Sequence, residues 1–190
     1  MKPHGVRVIA GSARGRRLVV PGGESVRPTK DIAREAMFSA LDARGALEGA
    51  AVLDLYAGTG ALAIEALSRG AAEAVIVERD RVALDAIRIN IEVLSDDEPI
   101  DVVARDVGRF VSAGPPAQAP FDLVFVDPPY RTADEDVTEL LAVLAAPGWL
   151  AAGAIVSVER PRRSPVVAPP GFTSGWQRTF GDTLLTFLFT

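Results

Sequence analysis

The chain has 190 residues, 48% hydrophobic and 24% charged, enough for one buried α/β core and too few for two full domains. The absence of cysteine removes disulfides, thiolate zinc sites and every mechanism that starts from a cysteine nucleophile, including methylation of pyrimidine carbon 5 by covalent addition. The net charge of −5 argues against a polyanionic partner until its distribution is read: residues 1–34 carry eight bases against two acids, which is +6, and leave −11 for the remainder.

Residues 1–7 start basic but lack the apolar stretch of a secretory signal. No apolar run approaches the roughly 18 residues that span a bilayer, so a cytoplasmic protein is expected. The sole histidine, His4, lies in this terminus, and neither a histidine base nor a metal site is expected. Residues 6–10 and 16–20 are short β-type runs around Gly11-Ser12-Ala13-Arg14-Gly15, which suits a hairpin ended by Pro21-Gly22-Gly23. Thr29 is placed to cap a helix running to about Ala43.

From Ala51 strand and helix patterns alternate, the mark of a mostly parallel sheet covered by helices. Strands are expected at residues 51–55, 74–77, 102–104, 123–126 and 154–158. Helices are expected at 61–69, with Gly70 as a left-handed cap, and at 81–94, with Asp80 as N-cap. The run Pro115-Pro116-Ala117-Gln118-Ala119-Pro120 is a surface loop, and Val137, Leu140, Leu141 and Leu144 mark a further helix. Arg160-Pro161-Arg162-Arg163-Ser164-Pro165 reads as an arginine-bearing loop. Runs 176–180 and 184–189 are joined by only Gly181-Asp182-Thr183, too short for a crossover, so they must be antiparallel.

Asp54-Leu55-Tyr56-Ala57-Gly58-Thr59-Gly60 sits at the carboxyl end of the first sheet strand and opens a helix, where doubly wound sheets bind nucleotides. Glu78 ends the second strand, placed to take two ribose hydroxyls, and Asp106 follows the third, within reach of an adenine edge. Gly58-Thr59-Gly60-Ala61-Leu62-Ala63 also satisfies the loose dinucleotide fingerprint. Asp54 weighs against that cofactor, because an acid beside the loop meets a pyrophosphate badly and suits the ammonium of a methionine moiety.

The fourth strand runs directly into Asp127-Pro128-Pro129-Tyr130. Two prolines fix an extended turn without amide donors and leave its carbonyls to accept hydrogen bonds. An amino group on a base has its lone pair drawn into the ring, so methylating it requires both N–H bonds held and the lone pair turned toward an electrophilic methyl. The Asp127 carboxylate and the Pro128 carbonyl are two such acceptors, and Tyr130 is a ring on which an unstacked base can lie. The turn identifies transfer to an amino nitrogen and leaves guanine N2, adenine N6 and cytosine N4 open.

Together these residues resemble the class I methyltransferase fold. More narrowly they resemble the RsmD-type family, which methylates the N2 amine of a guanine in small-subunit (16S) ribosomal RNA. The resemblance is carried by Arg7-Val8-Ile9-Ala10-Gly11 with Arg14-Gly15-Arg16, by Arg27-Pro28-Thr29 with Arg34-Glu35 and Phe38, by the glycine loop, by Glu65-Ala66-Leu67-Ser68-Arg69-Gly70 and by Phe125-Val126-Asp127-Pro128-Pro129-Tyr130. The first two blocks discriminate, because the glycine loop and the Asp-Pro-Pro-Tyr turn also occur in other amino methyltransferases.

The resemblance implies a Rossmann-like α/β fold: a seven-stranded, mostly parallel sheet with an antiparallel last strand, preceded by the hairpin and helix. It implies S-adenosylmethionine as cofactor, held by Asp54, Tyr56, Gly58, Gly60, Glu78 and Asp106, with Asp127, Pro128, Pro129 and Tyr130 at the target base. Residues 1–46 would face RNA through Arg7, Arg14, Arg16, Arg17, Arg27 and Lys30, and 47–190 would form the methyltransferase domain. The expected partner is 16S rRNA in the small subunit or its precursor, met by a monomer.

Overall fold

The elements run in chain order as α1 (Pro28–Asp42), β1 (Ala51–Leu55), α2 (Ala61–Ser68), β2 (Glu73–Glu78), α3 (Arg81–Asn90), β3 (Ile100–Ala104), α4 (Val107–Val111), β4 (Phe121–Val126), α5 (Asp134–Leu144), β5 (Leu150–Pro161), β6 (Thr173–Phe180) and β7 (Thr183–Phe189). They belong to a computed structural model that describes residues 6–21, 28–95 and 98–190, with the side chains of residues 28–30 outside that description.

The seven strands form one sheet in the order β3-β2-β1-β4-β5-β7-β6. β3, β2, β1, β4 and β5 are mutually parallel, and β7 runs antiparallel to both β5 and β6. The tight turn at Gly181-Asp182 explains the final antiparallel pair, since two residues can only reverse the chain. The sheet is the expected one, with a single antiparallel strand at the end of the sequence.

Central strands are buried on both faces, which is why Ala51–Leu55, Glu73–Glu78 and Phe121–Val126 read as nearly unbroken apolar runs. One apolar cluster joins Phe38, Ile64, Ile87, Phe125 and Phe187; the other joins Phe110, Leu141, Trp149, Val124 and Val156. Val8, Ala13 and Leu18 belong to the first cluster, so the N-terminal segment shares the core of the sheet.

Several expectations are corrected by local hydrogen bonding. The expected N-terminal hairpin forms in short form, with the antiparallel bridge Arg7 to Arg17 flanked by Val8 N to Arg16 O at 3.0 Å and Leu18 N to Val6 O at 2.8 Å. Its outward amides go to α2: Ile9 and Ala10 donate to Glu65 at 2.6 and 3.0 Å, and Ala13 donates to Ser68 Oγ at 3.0 Å. Ser12 N donates to the Ser68 carbonyl at 2.7 Å. Gly11 adopts φ +83, and a Cβ there would stand 1.6 Å from the Ser68 carbonyl oxygen, so only glycine permits this docking.

α1 begins at Pro28, one residue before the expected cap, Thr29. α3 ends at Asn90 and passes into a 3-10 turn, Ile91–Val93, instead of continuing to Leu94. The short helix α4 was not expected; Asp106 caps it by accepting from Arg109 N at 3.2 Å. β5 extends through Arg160 and Pro161, so the expected arginine-bearing loop begins only after them. Among the described residues no helix is long and apolar enough to cross a membrane.

Candidate functional site

Because β2 and β3 lie on one side of β1 while β4 lies on the other, the chain reverses direction across the sheet between β1 and β4. A crevice opens outside their carboxyl ends. The glycine loop fills one wall. Gly58 and Gly60 take φ +57 and +74, and Tyr56, at φ +60, is the one non-glycine with positive φ among the described residues. Such a backbone costs on the order of 1–3 kcal/mol and is held here by Ala57 N to Val77 O and Gly60 N to Ala57 O.

Two cavities meet at this crevice. The first, about 730 Å³, is lined by Tyr56, Gly58, Glu78, Asp106, Asp127 and Tyr130 among others. Glu78 is oriented by three backbone amides: Gly58 N at 2.8 Å on one oxygen, Arg79 N at 2.7 Å and Asp80 N at 2.8 Å on the other. These fill three of about four lone-pair sites and leave one, on the oxygen bound to Gly58, for a hydroxyl donor. Asp106 accepts from Arg79 Nη1 at 2.8 Å. Burial, then the charges of Asp106 and Asp136, push the Tyr56 phenol up, so it stays a neutral donor.

The second cavity, about 460 Å³, shares Tyr56, Gly58, Asp127 and Tyr130 with the first and adds Asp31, Arg34, Asp54, Ser157 and Glu159. Pro128 is buried while Tyr130 is 48% exposed, its hydroxyl 3.3 Å from Thr183 Oγ1. Asp54 accepts from Ala63 N at 3.1 Å and thereby fastens the start of α2. Its near-complete burial, reinforced by the charges of Asp127 and Glu78, pushes its carboxyl up to about 8 against the opposing pull of the Ala63 amide.

The predicted residues Asp54, Tyr56, Gly58, Glu78, Asp106, Asp127, Pro128, Pro129 and Tyr130 all line one or both cavities. Gly60 does not. A Cβ there would meet Ile87 at 3.4 Å, so it serves the turn and the packing of the loop on α3. Arg7, Arg14, Arg16 and Arg17 are exposed on the N-terminal loop, with Arg7 Nη1 bonded to Gly15 O at 2.8 Å. Arg27, and the side chain of Lys30, lie outside the described residues. Arg160 is corrected: it is 4% exposed and donates to Thr132 O at 2.9 Å and Asp134 at 2.5 Å, leaving Arg162 and Arg163 as the exposed arginines there.

Sequence reasoning missed Asn90. This buried amide accepts from Val19 N at 2.6 Å and donates to Val19 O and Thr59 O, both at 3.0 Å, tying the N-terminal segment to the glycine loop. The signal was available, since Asn90 stands one place from the apolar stripe of α3. Glu159 and Ser157 were invisible because only the pairing of β4 with β5 brings them to Asp127.

The family described as "Conserved hypothetical protein 95" matches residues 6–189. "Ribosomal RNA small subunit methyltransferase D" of Haemophilus influenzae is 32% identical over 177 residues, 93% of this chain and 89% of that protein. The chain belongs to this methyltransferase family. The solved structure titled "Putative methyltransferase yhhF from Escherichia coli" is 30% identical, covers 97% of both chains and superposes with a TM-score of 0.83. A more distant putative methyltransferase, solved in complex with SAH, shares the fold at 14% identity, with a TM-score of 0.70 over 87% of this chain and 50% of that one. The family's sheet and crevice are therefore those of this chain: a Rossmann-like methyltransferase fold.

Proposed function

We propose that the chain transfers a methyl group from S-adenosylmethionine to the exocyclic N2 amine of a guanine in small-subunit 16S rRNA. The observation that carries this reading is the pair of cavities that share Asp127 and Tyr130. One is large enough for a nucleoside cofactor and the other opens beside the Asp-Pro-Pro-Tyr turn.

The residues suit S-adenosylmethionine. Asp54, Glu78, Asp106 and Asp127 surround the joined cavities with carboxylates, a setting that favours cationic centres, ribose hydroxyls and an amine and disfavours a pyrophosphate. The fold neighbour solved with SAH supports the same choice. When bound, the cofactor supplies an electrophilic methyl on a sulfonium.

Glu78 would take a ribose hydroxyl on its remaining site, Asp106 would meet the adenine edge and Asp54 the methionine ammonium. The Asp127 carboxylate and Pro128 carbonyl accept the two N–H bonds of the target amine while the base lies on Tyr130. So held, the amine's lone pair would face the methyl that the cofactor supplies, and the surplus amino proton would pass to Asp127 or water. Alignment of nitrogen, carbon and sulfur is the main source of rate, roughly 7–11 kcal/mol in well-oriented systems.

The name of the Haemophilus influenzae relative supports rRNA of the small subunit as substrate. Residues 1–46 would form the RNA-facing extension and 47–190 the methyltransferase domain, with exposed Arg14, Arg16 and Arg17 on phosphates. Action as a monomer is part of the same proposal. The test is transfer of labelled methyl to 16S rRNA, free and in 30S particles, followed by nucleoside mass spectrometry. N2-methylguanosine is expected; N6-methyladenosine or N4-methylcytidine as the product overturns the guanine assignment.

A further inference from the structure

We propose that Glu159 selects guanine over the other amino-bearing bases by accepting the N1–H of the target while Asp127 and the Pro128 carbonyl hold its N2 amine. The proposal rests on the reading that a guanine enters the cavity beside Asp127.

β4 and β5 are parallel and in register at Val126 and Val158. The next residue on each is Asp127 and Glu159. Neighbouring strands lie about 4.8 Å apart and side chains alternate with period two, so these two carboxylates leave the sheet side by side on one face. Phe125 and Ser157, one period earlier, pair on that same face, and Glu159 pairs in turn with Leu185 of β7. All five line the cavity that holds Tyr130. Two adjacent acceptors therefore stand where the Asp-Pro-Pro-Tyr turn presents its base.

Guanine alone among the common bases carries two neighbouring donors on its Watson–Crick edge, N1–H and the N2 amine. Adenine and cytosine place a bare ring nitrogen beside their amino group, and its lone pair would face the second carboxylate. Burying an acceptor against an acceptor leaves both unsatisfied, which is how a site rejects an analogue of nearly the same shape. Arg34 of α1 lines the same cavity and is a donor for the O6 and N7 acceptors that complete guanine's pattern. Its Nε has no hydrogen-bond partner among the described residues, although the side chain is only 9% exposed.

2-Aminopurine separates recognition from chemistry, because it keeps the N2 amine and lacks N1–H. Initial rates are compared for rRNA carrying guanine or 2-aminopurine at the mapped position, with wild type, Glu159→Gln and Glu159→Asp, alongside calorimetric binding of SAH. Wild type should favour guanine by about a hundredfold or more. Glu159→Gln, whose amide can donate to a bare N1, should bring the ratio below about ten while SAH affinity stays within about threefold. Glu159→Asp keeps a carboxylate and should keep guanine preferred at a lower rate. Equal loss on both substrates with an unchanged ratio overturns the Glu159 assignment alone. Wild-type transfer to adenine or cytosine instead of guanine overturns it together with the reading beneath it.

Discussion

The carboxylate of Glu65 accepts the backbone N–H of Ile9 at 2.6 Å, joining positions 56 residues apart. The same buried carboxylate takes Ala10 N and pairs with Arg69 Nε at 2.7 Å, while Arg69 also pairs with Asp42. α2 thus fastens both the N-terminal loop and the end of α1 to the sheet.

Glu65→Ala leaves two amides and a nearly buried guanidinium without this partner, which should cost about 3–5 kcal/mol. For a chain of this size that is a fall in melting temperature of about 6–20 °C. Thermal unfolding followed by circular dichroism measures it. A shift of under about 2 °C would mean that the bonds to Ser68 and Asn90 and the apolar contacts hold the loop without Glu65.

Asn90→Ala removes three hydrogen bonds at a site 1% exposed and should destabilise by about 1–3 kcal/mol. Since one bond goes to Thr59 of the glycine loop, SAH affinity should fall with it. Urea unfolding and calorimetry on the same variant decide whether both change. Lost stability with unaltered affinity would uncouple the loop from Asn90.

The Asp54 carboxyl, pushed up to about 8, makes the free protein's stability depend on pH. The folded chain keeps a proton that the unfolded chain releases near pH 4. Stability from this group is full below about pH 4 and falls by up to about 1.4 kcal/mol per unit as pH rises, until the folded pKa is passed. Relative to Asp54→Asn, wild type should therefore weaken steadily between about pH 5 and 8 in urea titrations. A pH-independent difference contradicts the shift. Binding of S-adenosylmethionine at neutral pH should also release a proton, as its ammonium arrives beside Asp54.

Arg14, Arg16 and Arg17 are exposed and replaceable without damage to the core. Changing all three to Gln should lower the slope of log affinity against log salt for 16S rRNA by about 2–3 and leave the melting temperature unchanged. An unaltered slope would remove this loop from the RNA surface.

The alternating apolar runs made the sheet legible, because strands buried on both faces leave a continuous signature, as Phe121–Val126 does. Asp80 capping Ala83 N at 2.9 Å was legible for the same local reason. What escaped was set by distant partners. Beyond the hairpin's own bonds, the amides of Ile9, Ala10 and Ala13 found Glu65 and Ser68 on α2. Arg160 found Asp134 in place of solvent. At the site, each motif announced its own residues, but Glu159 carries no motif and reaches Asp127 only through strand register.

The most direct measurement pairs methyl transfer to 30S particles with SAH binding for Asp127→Ala. Loss of the acceptor for the target amine should cut N2-methylguanosine formation by about a hundredfold or more, while SAH affinity stays within about threefold. Transfer at the wild-type rate would contradict the assignment of chemistry to this turn.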